Sequence, residues 1–234
     1  MVLKYQDHLE PALRNLSFKI EPGQKIAVVG RTGAGKSSLF QLLQGFRENC
    51  EGQILVDGQN ILSLSKKQLR QSINVVLQNP YFNENDTIRN NLLGIDHELV
   101  EAGGALGVSD VELQKVLEAA SLDQVKLDDR ASVLSGGQVQ LLALAQAMLN
   151  QNDASILLLD EPTSHIDGKS QAKVLQNLFQ IAQDKGQTVL MVAHRLDTAV
   201  TYCDHIMVLE QGQLNQFGPP LDLLVDDPAD TTVT

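Results

Sequence analysis

Apolar residues recur along the chain in two distinct patterns, short runs and spaced stripes. Lys25-Ile26-Ala27-Val28-Val29, Ile156 to Leu159 and Thr188 to Ala193 are continuous runs, the pattern of strands buried on both faces of a parallel sheet. Leu13 to Ile20 alternates instead, through Leu16, Phe18 and Ile20, and predicts a half-buried strand; Val2 to Tyr5 predicts another. Gln53 to Val56 followed by Asp57-Gly58 predicts a hairpin or an edge strand, and Ile206 to Leu209, Gln211-Gly212 and Gln213 to Phe217 predict a hairpin. Asn74 to Gln78 predicts one more strand. Helical spacing follows the first continuous run (Leu39, Phe40, Leu42, Leu43, Phe46). Ser109 caps a second helical stretch and Glu112 completes its capping box. Ser135 caps a third, which runs to Leu149 and is apolar on most sides. Gly168 to about Asp184 and Leu221 to Val225 predict two more, and the Asn- and Gly-rich residues 83–108 predict short helices. Strands alternating with helices predict an α/β fold with antiparallel strands toward the N-terminal end.

Composition narrows the partners. The 234 residues carry a net charge of −11, which argues against nucleic acid or an anionic membrane surface. Cys50 and Cys203 have neither metal-ligand spacing nor the density of a disulfide framework, so a reducing compartment is expected. The longest apolar runs are strand-sized, far short of the roughly 20 residues of a spanning helix.

The chemistry starts where the first continuous run stops. Gly30-Arg31-Thr32-Gly33-Ala34-Gly35-Lys36-Ser37-Ser38 has the spacing G-x-x-x-x-G-K-[ST] between a predicted strand and a predicted helix. Gly30, Gly33 and Gly35 can take positive φ, so backbone N–H groups can close around a polyphosphate. The helix that follows points its unsatisfied N–H groups and positive dipole end at the same place. Lys36 supplies a cation for the β- and γ-phosphates, and the Ser37 hydroxyl is a hard oxygen ligand for Mg²⁺. The pattern predicts a nucleoside triphosphate site, against the plainer reading of a glycine-rich turn. Asp160-Glu161 ends a continuous run, and ligands of open α/β sheets sit at the carboxyl ends of strands. Asp160 is therefore the candidate Mg²⁺ ligand, and Glu161 the candidate group that orients or deprotonates the attacking water.

Leu134-Ser135-Gly136-Gly137-Gln138, upstream of that Asp-Glu, makes the pattern specific. The chain resembles the nucleotide-binding domain of ATP-binding cassette (ABC) proteins, and this pentapeptide resembles their signature. The resemblance runs from Tyr5 to about Leu224. It implies the ABC ATPase form of the P-loop NTPase fold: a mixed-sheet core with an antiparallel β subdomain and an α-helical subdomain. Residues 1–228 would form one domain, with the helical subdomain at about 80–150 and a frayed tail at 229–234. It also implies roles for residues that spacing alone does not single out. Tyr5 would stack on adenine, and Gln78 would be the lid glutamine reaching Mg²⁺ and the attacking water. Asp167, in Ser164-His165-Ile166-Asp167, would communicate across a dimer, and His194 would contact the γ-phosphate. Ser135, Gly136, Gly137 and Gln138 would serve the ATP held by a second cassette, identical or different, placed head to tail. ATP and Mg²⁺ are the implied cofactors. A transmembrane domain, in the same or a separate chain, is the implied partner, and the cytoplasmic face of a membrane the implied location. Gly30 to Leu39 and Thr87-Ile88-Arg89-Asn90-Asn91-Leu92 resemble exporter cassettes, especially the second cassette of multidrug-resistance-associated (C-type) proteins, with bacterial half-transporters as the other branch. Family members usually carry a basic residue where Val139 stands and an Arg where Gln146 stands. Those departures raise the alternative of a regulatory nucleotide switch with weak turnover. A soluble ABC ATPase of DNA repair or translation is disfavoured by the charge and by the short span between the motifs.

Overall fold

A computed structural model describes residues 2–4, 11–46, 50–94, 108–149 and 154–225. These belong to two units, one of residues 1–75, 152–161 and 186–234 and the other of 76–151 and 162–185.

The first unit is built on a six-stranded sheet of order β11-β10-β3-β9-β8-β7. Its strands are β3 (Lys25–Val29), β7 (Ile73–Val76), β8 (Ile156–Asp160), β9 (Thr188–Val192), β10 (His205–Glu210) and β11 (Gln213–Gly218). The four strands β10, β3, β9 and β8 are parallel, and β11 returns antiparallel beside β10. The continuous apolar runs are the buried central strands, as their lack of alternation requires; β9 is buried at all five positions. Helix α1 (Lys36–Leu43) buries Leu39, Phe40 and Leu42 completely. These join Leu13, Ile26, Val28, Leu158, Leu190 and Met207 in one core, and each fully buried leucine of this kind contributes about 1.5–3 kcal/mol. A three-stranded antiparallel sheet of order β2-β1-β4 uses β1 (Val2–Lys4), β2 (Pro11–Leu13) and β4 (Cys50–Glu51). A hairpin of β5 (Leu55–Val56) and β6 (Gln59–Asn60) turns at Asp57-Gly58, where both residues have positive φ. Helices α2 (Lys66–Ser72), α7 (Leu196–Tyr202) and α8 (Pro220–Val225) complete this unit.

The second unit holds the helices α3 (Ile88–Leu93), α4 (Asp110–Ala119), α5 (Gly136–Leu149) and α6 (Gly168–Asp184). The Ser109–Glu112 capping box forms as expected, each residue's side chain bonding the other's backbone N–H. Helix α5 buries Gln140 to Ala145 without interruption, so it is wrapped on nearly all sides. No helix among the described residues is long and apolar enough to cross a membrane.

Three expectations need correction. The strand predicted over Leu13 to Ile20 stops at Leu13, because Asn15 takes φ 48° and turns the backbone out of the ladder. Burial still alternates across Leu16, Ser17, Phe18, Lys19 and Ile20; one-sided burial gives the period of two without strand pairing. The strand expected over Asn74 to Gln78 ends at Val76. Finally, Phe46 lies outside α1, which closes at Gln44 and Gly45 (φ 71°), leaving Phe46 69% exposed.

One turn links the antiparallel part of this unit to the loop ahead of α1. Gly212, at φ 76°, donates its N–H to the Ala34 carbonyl at 3.0 Å and accepts at its own carbonyl from Arg14 N–H at 2.7 Å. A Cβ on Gly212 would meet the Ala12 carbonyl oxygen at 2.5 Å. Gly212→Ala is therefore expected to destabilise the protein by about 2 kcal/mol, read as a lower urea midpoint. An unchanged midpoint would mean that the turn is free to move.

Candidate nucleotide-binding site

Parallel register sets the site. Val28 of β3 stands opposite Val192 of β9, and Val192 stands opposite Asp160 of β8. The three strands therefore end level, and the residues just beyond them converge at one carboxyl edge: the loop from Gly30, the pair Asp160-Glu161, and His194. This is the place where open α/β sheets take their ligands.

The loop has the conformation its glycines allow. Gly30, Gly33 and Gly35 have φ of 151°, 85° and 103°. At Gly30 a Cβ would meet the Leu209 carbonyl oxygen at 2.3 Å, and at Gly35 it would meet Leu13 Cδ2 at 2.7 Å. At Gly33 nothing is near, so that glycine is required for its backbone conformation alone. Gly35 is the N-cap of α1 and no side chain caps the first turn, an arrangement suited to an anion. Lys36 curls back into the loop, donating from Nζ to the carbonyls of Gly30 at 2.6 Å and Arg31 at 3.2 Å. Burial pulls its ammonium below the ordinary lysine range, while Glu161 and Asp160 act to hold it up.

Asp160 has the opposite imbalance. Burial, and then the neighbouring Glu161 carboxylate, push its carboxyl above the usual range, with Lys36 and His194 compensating in part. Glu161 takes φ 47°, a left-handed backbone that costs a non-glycine residue on the order of 1–2 kcal/mol. Its Oε1 pairs with His194 Nε2. Glu161 is mostly buried, with 19% of its side chain exposed, whereas His194 is open at 53%. A carboxylate held by an open imidazole beside a buried lysine can orient water and answer to an anion arriving at the loop.

Residues in the first unit that the sequence singled out are thus brought together: Gly30 to Ser38, Asp160, Glu161 and His194. Gln78, Ser135 to Gln138 and Asp167 lie in the second unit, and Tyr5 lies outside the described residues. Ser135 N–H donates to Gln138 Oε1 at 2.9 Å and Gln138 N–H donates to Ser135 Oγ at 3.3 Å, so the signature turn is itself a capping box. Asp167 caps α6, accepting from Lys169 and Ser170 N–H groups; the Ser170 hydroxyl first, and then these N–H groups, hold its carboxyl below the usual range. The His165 carbonyl oxygen lies 2.8 Å from where a Cβ on Gly137 would stand, which explains a glycine there. The Gly30 and Arg31 carbonyls holding Lys36, and the Gly212 turn bracing the loop, carry no sequence signal of their own, because backbone groups do not.

Fold and edge together define a protein of the P-loop nucleoside-triphosphate-binding class. A family model for ABC transporters matches residues 13–164. Over 233 residues the chain is 38% identical to an ATP-dependent lipid A-core flippase of Methylobacillus flagellatus, covering 97% of this chain and 38% of the flippase. It is 36% identical over 225 residues to the mitochondrial iron-sulfur clusters transporter atm1 of Aspergillus fumigatus, covering 92% and 29%. With ABC transporter C family member 12 of Dictyostelium discoideum it shares 35% over 232 residues, covering 96% and 16%. A solved structure of a bacterial Atm1-family ABC exporter with ATP bound superposes with a TM-score of 0.81 at 33% identity, over 97% of this chain and 39% of that one. The chain belongs to the ABC transporter family. It spans 16 to 39% of the length of these relatives.

The Asp160 imbalance gives a pH-dependent expectation. A carboxyl raised above its unfolded value opposes folding wherever it is charged in the folded state, and is neutral in effect below the unfolded value. Without nucleotide, Asp160→Asn should therefore be more stable than the parent at neutral pH, by about 1 kcal/mol. The gain should disappear as the pH falls below the ordinary carboxylate range. Urea titrations of both proteins across that range provide the check; a less stable variant at neutral pH would contradict it.

Proposed function

We propose that this chain is the ATP-hydrolysing cassette of a membrane exporter, with residues 1–228 working as one domain. The observation that carries the reading is the level ending of β3, β8 and β9, which gathers Lys36, Asp160, Glu161 and His194 at one edge. The same chain holds the Ser135–Gln138 turn. The ATP-dependent flippase and the Atm1-family exporters among its relatives support export as the task.

In this reading the glycine loop and the first turn of α1 bind the β- and γ-phosphates, and Lys36 exchanges the neutral carbonyls of Gly30 and Arg31 for phosphate oxygens. Ser37 and Asp160 offer the hard oxygens that suit Mg²⁺, and Asp160 carries an under-compensated negative charge; the family role of Gln78 would complete the set. When bound, Mg²⁺ supplies neutralisation of phosphate charge. Glu161 orients the attacking water and accepts its proton, while His194 fixes the Glu161 carboxylate and presents its open side to the γ-phosphate. Tyr5 takes the adenine-stacking role. The Ser135–Gln138 turn and Asp167 act on the nucleotide of a second cassette, so ATP binding draws the pair together and hydrolysis releases it. A transmembrane domain, in this chain's parent protein or a separate one, receives that motion at the cytoplasmic face of a membrane.

A second reading, a switch with slow turnover, is favoured by α5. Gln146, where the family resemblance implies an Arg, donates from Nε2 to the Asn91 carbonyl at 3.1 Å, so a neutral bond occupies that place. Hydrolysis rates separate the two. Glu161→Gln should retain MgATP binding and lose hydrolysis by about 10²- to 10⁴-fold; an unchanged rate would remove Glu161 from the mechanism, and a parent already at the variant's rate would favour the switch. Ser135→Arg should bind ATP normally and fail to pair in ATP, as read by sedimentation. Normal ATP-driven dimers of that variant would sink the head-to-tail arrangement.

A further inference from the structure

Two side-chain amides tie α5 to a single stretch of the second unit. Gln140, 1% exposed, donates from Nε2 to the Leu77 carbonyl at 3.3 Å. Gln146 donates to the Asn91 carbonyl as described. The segment 77–91 is therefore held by α5 at both ends. Its middle is fastened to itself. Asn91 Nδ2 donates to the carbonyls of Asn83 and Thr87, Asn91 Oδ1 accepts from Asn83 N–H, and Asp86 Oδ1 accepts from Thr87 N–H and Asn90 Nδ2. A segment so braced moves with its anchors.

The Leu77 carbonyl shares its peptide bond with the N–H of Gln78. The Gln140 bond therefore fixes the plane from which Gln78 departs. At the other end, Gln140 lies five residues beyond Ser135 on one rigid helix, whose first turn carries Gly137 against the His165 carbonyl. A polar amide in this apolar helix is not needed to fill space. Burying it is unfavourable unless its donor is satisfied, so its use here is directional: it sets the distance between the start of the Gln78 loop and the signature helix.

We propose that Gln140 is a positioning residue that couples Gln78 to the Ser135 turn. A displacement of Gln78 on nucleotide binding is passed through the Leu77 carbonyl to α5, and so to the residues that meet the second cassette. By thermodynamic linkage, pairing at the Ser135 turn biases Gln78 in return. This rests on the proposed lid role of Gln78.

The test is a double-mutant cycle on the full chain with Gln140→Met, which keeps the shape and removes the amide, and Gln78→Ala. Gln140→Met is expected to lower kcat about tenfold and to leave KM for MgATP unchanged. The double variant should hydrolyse no more slowly than Gln78→Ala alone, because both substitutions interrupt the same link. A merely structural Gln140 would instead slow the double variant by its own further factor; that result, or a parental rate for Gln140→Met, overturns the coupling. If Gln140→Met shows no cooperative urea transition, Gln140→Asn replaces it under the same criterion. A parental rate for Gln78→Ala would overturn the lid role itself, and the coupling with it.

Discussion

The geometry at the sheet edge depends on keeping one ammonium out of water. Lys36 is buried in a chain of net charge −11, against two backbone carbonyls and near two carboxylates. The carbonyls satisfy its hydrogen bonds without neutralising it, and the carboxylates act on its charge through space. That combination leaves the cation available. In the proposed reading, exchanging a neutral acceptor for a phosphate oxygen would strengthen each hydrogen bond it makes, at a loop whose first helical turn has no side-chain cap. Attraction for a polyanion would then be local, created by one lysine and one helix end against an opposing overall field. The remaining architecture serves to hold that geometry. Level strand ends bring Asp160 and Glu161 to the loop, and the Gly212 turn braces it from behind.

Much of this was legible because the relevant signals are local. A continuous apolar run, a glycine spacing and a helical stripe specify strand, loop and helix without knowledge of the rest of the chain. The capping box at Ser109 and the cap at Ser135 are equally local and formed as expected; that Gln138 bonds back to make a box at Ser135 lies beyond that expectation. Legibility ended where the outcome depends on groups distant in sequence or on backbone alone. Nothing in the alternation of Leu16, Phe18 and Ile20 distinguishes a strand from an extended segment covered on one side. The left-handed turn at Asn15 decided that. Likewise the need for glycine at 30, 35 and 212 comes from Leu209, Leu13 and Ala12, none of which announces itself as a neighbour. Roles such as that of Gln78 came from resemblance, and no spacing rule could have supplied them.

The capping boxes also separate folding from function by one hydrogen. At Ser65 and Ser109 the hydroxyl donates to the side chain of Gln68 or Glu112, at 2.7 and 2.8 Å, as well as accepting the backbone N–H. At Ser135 the described bonds are the backbone pair alone, with Gln138 Oε1 taken by the Ser135 N–H and the hydroxyl oxygen accepting from Gln138 N–H. A serine that caps through its oxygen lone pair can still donate its proton elsewhere. In the role proposed for Ser135, donation to the phosphate of a second cassette would not compete with the bonds that cap the helix.

Glu161 shows the converse, a geometry held against local preference. Its left-handed backbone follows directly on the regular strand β8, and glycine would adopt that conformation at less cost but could carry no carboxylate. The conformation persists because the neighbours over-determine it: the strand register fixes Asp160 opposite Val192, and His194 takes hold of the Glu161 carboxylate. Both constraints arise from β9, which pairs with β8 and leads directly into His194. Any change that shifts β9 along its neighbours therefore displaces Glu161 and His194 together. If Glu161 has the role proposed for it, the orientation of that carboxylate is a property of sheet register, set by a strand whose own side chains lie in the core.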